Sequence, residues 1–457
     1  MKDITLEMIK YLFHWLSNNW QNPIAIVVVI IGTILLWFSS EILNSLGNLN
    51  IYFLAIIVLF EFMLWYFSTR IRKIEKDNIG IVIAITTENE SVQERLKNDF
   101  IVNIREVIKS GSYKQFQVIN LSDYHSKIIK ENPHKNCIKY HNLTNGTFLV
   151  FGHCAKRMHK EKECYYLKLE ASVIHSLIPK IVSSAFSGDM AKIFPKECFV
   201  SVTDEILGFK IEAQKIGFSA EYILGMASFF SKDFTTAFKL HFSLISELEK
   251  NNSKYLDSDN IIIGRIKSST INILTIESII LARINYVYKN DIYKMNYFIE
   301  IIQKYKPNNY DAHLLKAIYF FLKNRDIESA LNEIDKAKSK KDSAWLYSKA
   351  FLLAYRGDDL SQAYHVYQQA FKGFAALIVP IEVEEFILDV LENEVKKIQL
   401  WYCLGLINFF KKEDYLLADE YFQKFISLAK EKNLFLDYVI HAQNYLAKIK
   451  INLKENK

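Results

Sequence analysis

Proline and glycine are scarce in this chain, 6 and 14 among 457 residues. Both interrupt helices, glycine through its conformational entropy and proline through its missing N–H, so their scarcity leaves long helices unbroken. Cysteine is scarce too, and Cys137, Cys154, Cys164, Cys198 and Cys403 keep no regular spacing. That excludes a disulfide framework as the source of stability and fits a reducing compartment. Common catalytic patterns are missing. No glycine-rich loop ends in Lys-Ser/Thr: Gly80 precedes a strand pattern, and Ser187-Gly188 and Lys372-Gly373 hold lone glycines. There is no Gly-x-Ser-x-Gly, no His-Glu-x-x-His and no kinase motif set. Charge of one sign is not gathered into a stripe either, with 57 basic against 51 acidic residues and a net charge of +6. A nucleic-acid surface needs such a stripe beside stacking aromatics. The 26 tyrosines and 32 phenylalanines therefore read as core, and no nucleic-acid partner is expected.

What the chain does have, close to its start, is apolar length. Pro23 to Ser39 carries no charged side chain and Ile51 to Ser68 carries only Glu61. Each run suffices to cross a bilayer as a helix, which takes roughly 17–20 apolar residues. Ser40 to Asn50 leaves room for a turn and no more, so residues 21–69 are expected to form a transmembrane hairpin with spans at about 23–39 and 51–68. Arg70, Arg72, Lys73 and Lys76 follow the second span while the loop has no Lys or Arg, which places both termini in the cytoplasm. The heavy use of Ile, Lys, Asn and Phe is that of an AT-rich bacterial genome, so the expected location is the bacterial inner (cytoplasmic) membrane, multi-pass. Residues 1–20 set Leu6, Ile9, Leu12, Phe13 and Leu16 at helical spacing among Tyr11, Trp15 and Trp20, as an interfacial amphipathic helix does. Its charged start is weak and no small-x-small site comes after it, so a cleavable signal is not expected. Lipid contact is expected through residues 1–69. A carboxylate inside a span is costly, and Glu61 must face protein. Folding the hairpin back brings it level with Gly32 and Thr33, which leaves two readings: an internal bond to Thr33, or a homo-oligomer or pore-lining contact.

Past the basic cluster the pattern changes to strand. Ile79 to Ile85 reads as a buried strand, Thr86 to Glu90 as a polar loop, and Ser91 as the cap of a helix with Val92, Leu96, Phe100, Ile104 and Ile108 on its apolar face. Gly111 ends that helix. Phe116 to Leu121 reads as a second strand, Ser122 to Glu131 as a short helix, and Thr147 to His153 with Cys164 to Val173 as a hairpin joined by a charged turn. This order makes a small α/β domain over 78–178. Ala84-Ile85, Val118-Ile119 and Phe148-Leu149-Val150-Phe151-Gly152, in that succession, resemble the TolB N-terminal-like family of α/β domains. The resemblance implies a strand beginning at Val150-Phe151-Gly152 that presents a backbone edge and a groove, without catalysis. Orientation is the departure, because this domain is expected in the cytoplasm. A helical connector is expected over 180–215.

From Ile216 the sequence repeats. Leu224-Gly225 is followed by Ala237, Ala282 leads to Pro307, and Ala317, Ala330 and Ala337 come with Leu314 and Ile334. Tyr347 and Ala350 come with Ala363, Tyr367 and Ala370; Trp401-Tyr402-Cys403-Leu404-Gly405 precedes Ala418 and Phe422, with one extra residue at the turn. Large, small and aromatic residues in one helix, then alanines and aromatics in the next, over roughly 34 residues, resemble tetratricopeptide (TPR) repeats. The resemblance covers about 216–451 and implies an α-solenoid whose stacked helix pairs leave a groove for a protein or peptide partner. About 377–397, with Val379-Pro380 and the acidic run Glu382 to Glu394, stands out as an insertion or irregular helix. Leu434 to Ile451 reads as the closing helix, with Tyr438, Tyr445, Leu446 and Ile449 inward.

The expected fold is thus mainly α: a two-helix transmembrane hairpin, a small α/β domain and a C-terminal TPR-like α-solenoid. His134, Cys137, His141, His153, Cys154, His159 and Cys164 crowd the α/β domain, yet zinc ligands come in close pairs around a turn, whereas His153 and Cys154 are strand neighbours on opposite faces. Packed thiols and solvated histidines are expected there, with no metal and no cofactor. Cys154 and Cys164 come near one another across the hairpin, but a cytosolic setting disfavours a disulfide. No catalytic residue is assigned, and an enzyme is not expected. The expected function is a membrane-anchored cytoplasmic scaffold or adaptor for a protein or peptide partner, with Asn272, Tyr310, His313, Tyr347 and Asn408 in its groove. The alternative is a stress or defence sensor-effector whose hairpin, through Glu61 and Thr33, oligomerises and permeabilises the membrane.

Overall fold

The computed structural model describes residues 10–13, 15–16, 20–39, 49–75, 78–88, 92–93, 96–110, 116–159, 161–175, 182, 186, 188, 190, 192–194, 196–201, 205–250, 260–339, 342–358, 360–376 and 378–455. They form a mainly helical protein with one mixed five-stranded sheet, divided into two compact units, Met1–Ile273 and Leu274–Lys457. The linker 40–48, Lys76, Ser91, Gly111 and most of 1–20 lie outside the described residues; of that first stretch, residues 10–13 and 15–16 are helical.

In the first unit, the two apolar runs form α1 (Pro23–Ser39) and α2 (Leu49–Thr69). Asn22 caps α1, its Oδ1 accepting from Ile24 N at 3.0 Å, and Pro23 suits a first turn that needs no N–H. The helices pack on one another, and Thr33 Oγ1 donates to Glu61 Oε1 at 2.7 Å. At the foot of the pair Trp20 Nε1 donates to Ser68 Oγ and Trp65 Nε1 to the Trp20 carbonyl, both at 2.8 Å. Their outer faces stay uncovered: none of the 18-residue stretch Tyr52–Thr69 is buried, and Ile31, Leu36, Phe53 and Phe60 are more than half exposed. Ile261–Val287 is also long and apolar enough to cross a membrane, but half of it is buried in protein.

The sheet combines β1 (Ile79–Thr87), β2 (Phe116–Asn120), β3 (Phe148–His159), β4 (Lys162–Val173) and β5 (Glu197–Ser201) in the order β2-β1-β3-β4-β5. β1 is parallel to both neighbours and the remaining pairs are antiparallel. Alternation sends Ile81, Ile83, Phe148 and Val150 into one core and Val82, Ala84, Leu149 and Phe151 into the other. The first core is closed by a π-helical turn, Leu96–Ile101, running into α3 (Val102–Ser110); the second is closed by α4 (Asp123–Glu131) and α5 (Pro133–Thr144). Val92, Leu96, Phe100 and Ile104 are all buried. Their strict interval of four would drift around an α-helix, and the underwound π turn keeps it on one face.

Three features differ from the sequence reading. The charged stretch expected as a turn is strand, with Lys156 opposite Tyr165 and Arg157 opposite Cys164. β5 lies inside the expected helical connector, where Cys198 and Val200 alternate into the first core. Val150, Phe151 and Gly152 are paired with β1 on one side and β4 on the other, so they offer no free backbone edge. After β5 come α6 (Glu205–Phe230), α7 (Phe234–Lys250) and α8 (Asn260–Val287), and the boundary between the units falls within α8.

In the second unit, α9 (Ile292–Tyr305) packs on α10 (Tyr310–Asn324), and α10 pairs with α11 (Ile327–Lys336). α12 (Ala344–Arg356) pairs with α13 (Leu360–Lys372), and α14 (Ile378–Asn393) comes next. α15 (Gln399–Ile407) pairs with α16 (Tyr415–Lys432), on which α17 (Leu436–Glu455) closes. Asn309, Asp326 and Asp414 start α10, α11 and α16 by accepting a first-turn N–H at 2.9–3.0 Å. Where the sequence suggests an insertion or irregular helix, α14 is a regular helix with Ile387, Val390 and Leu391 buried in the core.

Paired helices touch at residues without side chains. A β-carbon on Gly405 would stand 2.5–2.8 Å from the ring of Phe422, which is fully buried, and one on Gly225 would meet the His241 ring. The extra residue at the turn after Gly405 becomes a π-helical segment, Asn408–Lys412. Widening one turn absorbs an inserted residue without displacing the next helix. Gly405→Ala and Gly225→Ala are each expected to lower stability by about 1–3 kcal/mol through overpacking, outweighing the roughly 1 kcal/mol that alanine adds to a helix. The buried free thiols allow this to be measured in detergent by thiol-reactive dye during heating. An unchanged or raised midpoint would contradict the account.

Candidate functional site

One face of α11 carries Glu328, Leu331, Asn332 and Asp335, spaced as a helix requires for a single stripe. Its opposite face, with Ala330 and Ile334, is buried. α12 repeats the division: Lys349, Leu353 and Arg356 form a stripe, and Ala350 and Ala354 face the core. α13 adds His365 and Val366, while Ala363, Tyr367 and Ala370 are buried. The three stripes enclose a cleft of about 620 Å³ with Leu331, Leu353 and Val366 as its apolar floor.

Ion pairs line its walls. Lys349 Nζ lies 2.8 Å from Asp335 Oδ1, and Arg356 Nη1 lies 3.1 Å from Glu328 Oε1. The Lys349 hydrogen bond holds the Asp335 carboxyl below the usual carboxylate range, against the opposing effect of partial burial. Asp335 and Glu328 keep much of their surface in solvent, so each pair contributes at most about 1 kcal/mol and exchanges partners cheaply.

The five residues expected in a groove have different surroundings. Asn272 is exposed on α8 in the first unit, and the other four belong to the second. Tyr310 is half-buried, and burial, then Asp342, pushes its hydroxyl pKa up. His313 is buried, with Nδ1 2.7 Å from Glu333 Oε2. Tyr347 is fully buried beside Tyr367 and Phe371, with its hydroxyl pushed up to about 12 by burial, so it is core. Asn408 is also fully buried and donates to Glu384 Oε1 at 2.9 Å and to the Leu404 carbonyl at 3.0 Å. Large and polar residues in the repeat pattern suit a lining, whereas His313, Tyr347 and Asn408 fill the space between helices. The residues that do line the cleft had a signal in the sequence, the charged stripes at helical spacing that alternate with the alanines.

The carboxyl ends of the parallel strands are the other place where an open α/β sheet holds ligands. Here the polar groups pair internally. Thr86 Oγ1 and His153 Nδ1 lie 2.9 Å apart, Arg157 Nη2 is 2.6 Å from Glu88 Oε1, and Lys127 Nζ is 2.7 Å from Asp123 Oδ2. The Arg157 guanidinium lowers the Glu88 carboxyl, and burial lowers the His153 imidazole. Nearby, Cys154 points into the core, and Cys164 sits opposite Arg157 rather than opposite Cys154. Burial raises the Cys137 and Cys154 thiols to about 11 and about 12, which keeps them protonated near neutrality and makes them poor ligands. His141 uses both nitrogens, at 2.7 Å from the Gly146 carbonyl and 3.2 Å from Ser172 Oγ. His159 stacks on Phe199, and His134 is exposed on α5.

Glu333 has the better-defined pH behaviour. Burial pushes it up, but hydrogen bonds from Lys336 and His313 outweigh that and leave it below its ordinary value. A depressed carboxylate stabilises the fold above its unfolded value, about 4.3, and that contribution is lost as pH falls through the folded value. Glu333→Ala should lower stability by about 1–3 kcal/mol by leaving the His313 nitrogen unpaired. Glu333→Gln should keep much of the packing while flattening the loss of stability below about pH 4. Thermal midpoints measured from pH 3 to 7, roughly spanning that titration, check both; equal slopes for wild type and Glu333→Gln would refute the assignment.

No family model matches the chain, and the search of the curated proteins found no match.

Proposed function

We propose that this chain is a scaffold or adaptor, held in the bacterial inner membrane by α1 and α2, whose helical hairpins form a tetratricopeptide-like array that binds a protein or peptide partner. The observation that carries the reading is the cleft of α11, α12 and α13. An apolar floor flanked by part-exposed ion pairs offers an amphipathic segment both a seat and charges to exchange. The small-against-ring contact at Gly405 and the buried alanines of α12 and α13 are the packing such repeats need. For the anchor, support comes from the uncovered apolar faces of α1 and α2, a surface far larger than water tolerates and one that lipid solvates. The Thr33 bond lowers the cost of Glu61 within such an anchor. Arg70, Arg72 and Lys73 just after α2 favour a cytoplasmic position for the remainder.

A photoreactive side chain at Leu331 of the full chain should give discrete cross-linked partners in cells. Lys349→Glu with Arg356→Glu should remove them by reversing the cleft's cationic wall. Adducts indifferent to that reversal would place the partner elsewhere. The chain should also stay with membranes through an alkaline carbonate wash and be released when residues 21–69 are deleted.

Glu61 Oε2 is buried with no hydrogen-bond partner among the described residues, and this favours a second reading in which the hairpin assembles through Glu61 in a sensor-effector that permeabilises the membrane. Under that reading Glu61→Leu should abolish chemically cross-linked dimers and higher species of the full chain. An unchanged ladder would leave Glu61 with the Thr33 contact alone.

A further inference from the structure

α14 follows α13 and precedes α15 in sequence, but it does not separate them in space. α12 and α13 both pack directly on α15, so the succession of helical pairs is continuous without α14. α14 instead lies against the first helices of three successive pairs. Its Phe386 ring stands 5.6 Å from Phe321 of α10 and 5.1 Å from Phe351 of α12, and α14 packs on α15 and the π turn that continues it. Ile387, Val390 and Leu391 complete a buried stripe along its inner side.

A carboxylate clasps each end. Glu384 near the start accepts from Asn408 Nδ2 at 2.9 Å and Tyr421 Oη at 3.3 Å, and is paired with Lys412. Glu394 just past the end accepts from Arg325 Nε at 2.8 Å and Tyr355 Oη at 2.6 Å. Arg325 stands over the Phe321 ring at 4.6 Å, which sets its guanidinium beside the aromatic seat. The receiving surface thus offers an aromatic pocket between two cations, Arg325 and Lys412. Its occupant is an amphipathic helix with carboxylates at matching ends. An amphipathic helix laid in a groove between such elements is a common mode of partner recognition.

We infer that the surface built by α10, α12 and α15 is a helix-binding groove that the chain fills with its own α14, and that its external ligand is an acidic amphipathic helix of the pattern Glu384-Glu385-Phe386-Ile387-Leu388-Asp389-Val390-Leu391-Glu392-Asn393-Glu394. The groove is distinct from the cleft of α11, α12 and α13, and neither reading depends on the other. With α14 in place the groove is closed, so the ligand binds in proportion to the fraction of molecules in which α14 has lifted.

Two measurements on the full chain in detergent test this. The first is anisotropy of a labelled peptide spanning residues 378–394. Wild type should bind weakly, while Phe386→Ala, which loosens the internal helix and leaves the receiving residues intact, should bind at least about tenfold more tightly. Replacing the peptide's carboxylates at 384 and 394 by Lys should abolish that gain. No binding by a Phe386→Ala protein that still melts cooperatively would overturn the inference. The second needs no variant and decides the matter if Phe386→Ala fails to fold. In hydrogen exchange, the α14 amides should open ahead of those of α12 and α15. A single shared opening for all three would make α14 an integral part of the stack and would likewise overturn it.

Discussion

Two helix pairs here approach at a position that has no side chain, and the placement of neighbouring residues follows from that contact. At Gly405 the Phe422 ring takes the space a β-carbon would need, and at Gly225 the His241 ring does the same. In an interior packed to crystal-like density, a ring seated in this way sets both rotation and rise of its helix. Once Ala350 and Ala354 on α12 and Ala363 on α13 are turned inward, Lys349, Arg356 and His365, which lie on another side of the same helices, turn toward the cleft. The cleft of α11, α12 and α13 is the sum of three such outward stripes. One extra residue after Gly405 adds a second consequence. The π turn that absorbs it begins at Asn408 and ends at Lys412, and both reach Glu384 on α14.

Burial separates the charges of the second unit into two kinds. Pairs in the cleft are part-exposed and contribute at most about 1 kcal/mol each, so they leave the surface free to rearrange around a ligand. Glu384 is buried among three donors, and breaking one partner away from such a group costs about 3–5 kcal/mol. The cleft is therefore open at rest, whereas the surface under α14 is held closed by both apolar contact and paired charge. In the first unit, Arg157 answers Glu88 and Lys127 answers Asp123 at the carboxyl edge of the sheet, and these pairs too are part-exposed.

Much of the local structure was legible in the residues. Ile79 to Ile85 and Phe148 to Phe151 are unbroken apolar runs, as a strand buried on both faces requires, and the helical pairs could be located by their small residues. The level of Glu61 against Thr33 comes from counting back along two runs joined by a short turn, and the structure has a hydrogen bond there. One residue too many between Gly405 and Ala418 was visible as well, while the π segment that absorbs it came only with the structure. Less legible was β5, five residues whose strand character comes from pairing with β4 and from a core assembled by distant segments. The charged stretch 154–159 has the polarity of a turn because that polarity is local, while its pairing with Lys162 to Leu167 is not.

The groove residues show where sequence stops. Tyr347 and Asn408 combine size or polarity with repeat positions, and from periodicity alone such residues suit a lining as well as a core. What the chain by itself determined was period and length: which of the long apolar-patterned segments are helix or strand, roughly where those helices start, and which of their faces are apolar. Those are properties of backbone geometry within a few residues. Only the folded structure decided which faces meet, that Asn408 turns to a carboxylate 24 residues earlier, and that α14 covers the first helices instead of extending their succession. Such pairings depend on close packing between segments remote in sequence, and no local pattern encodes them.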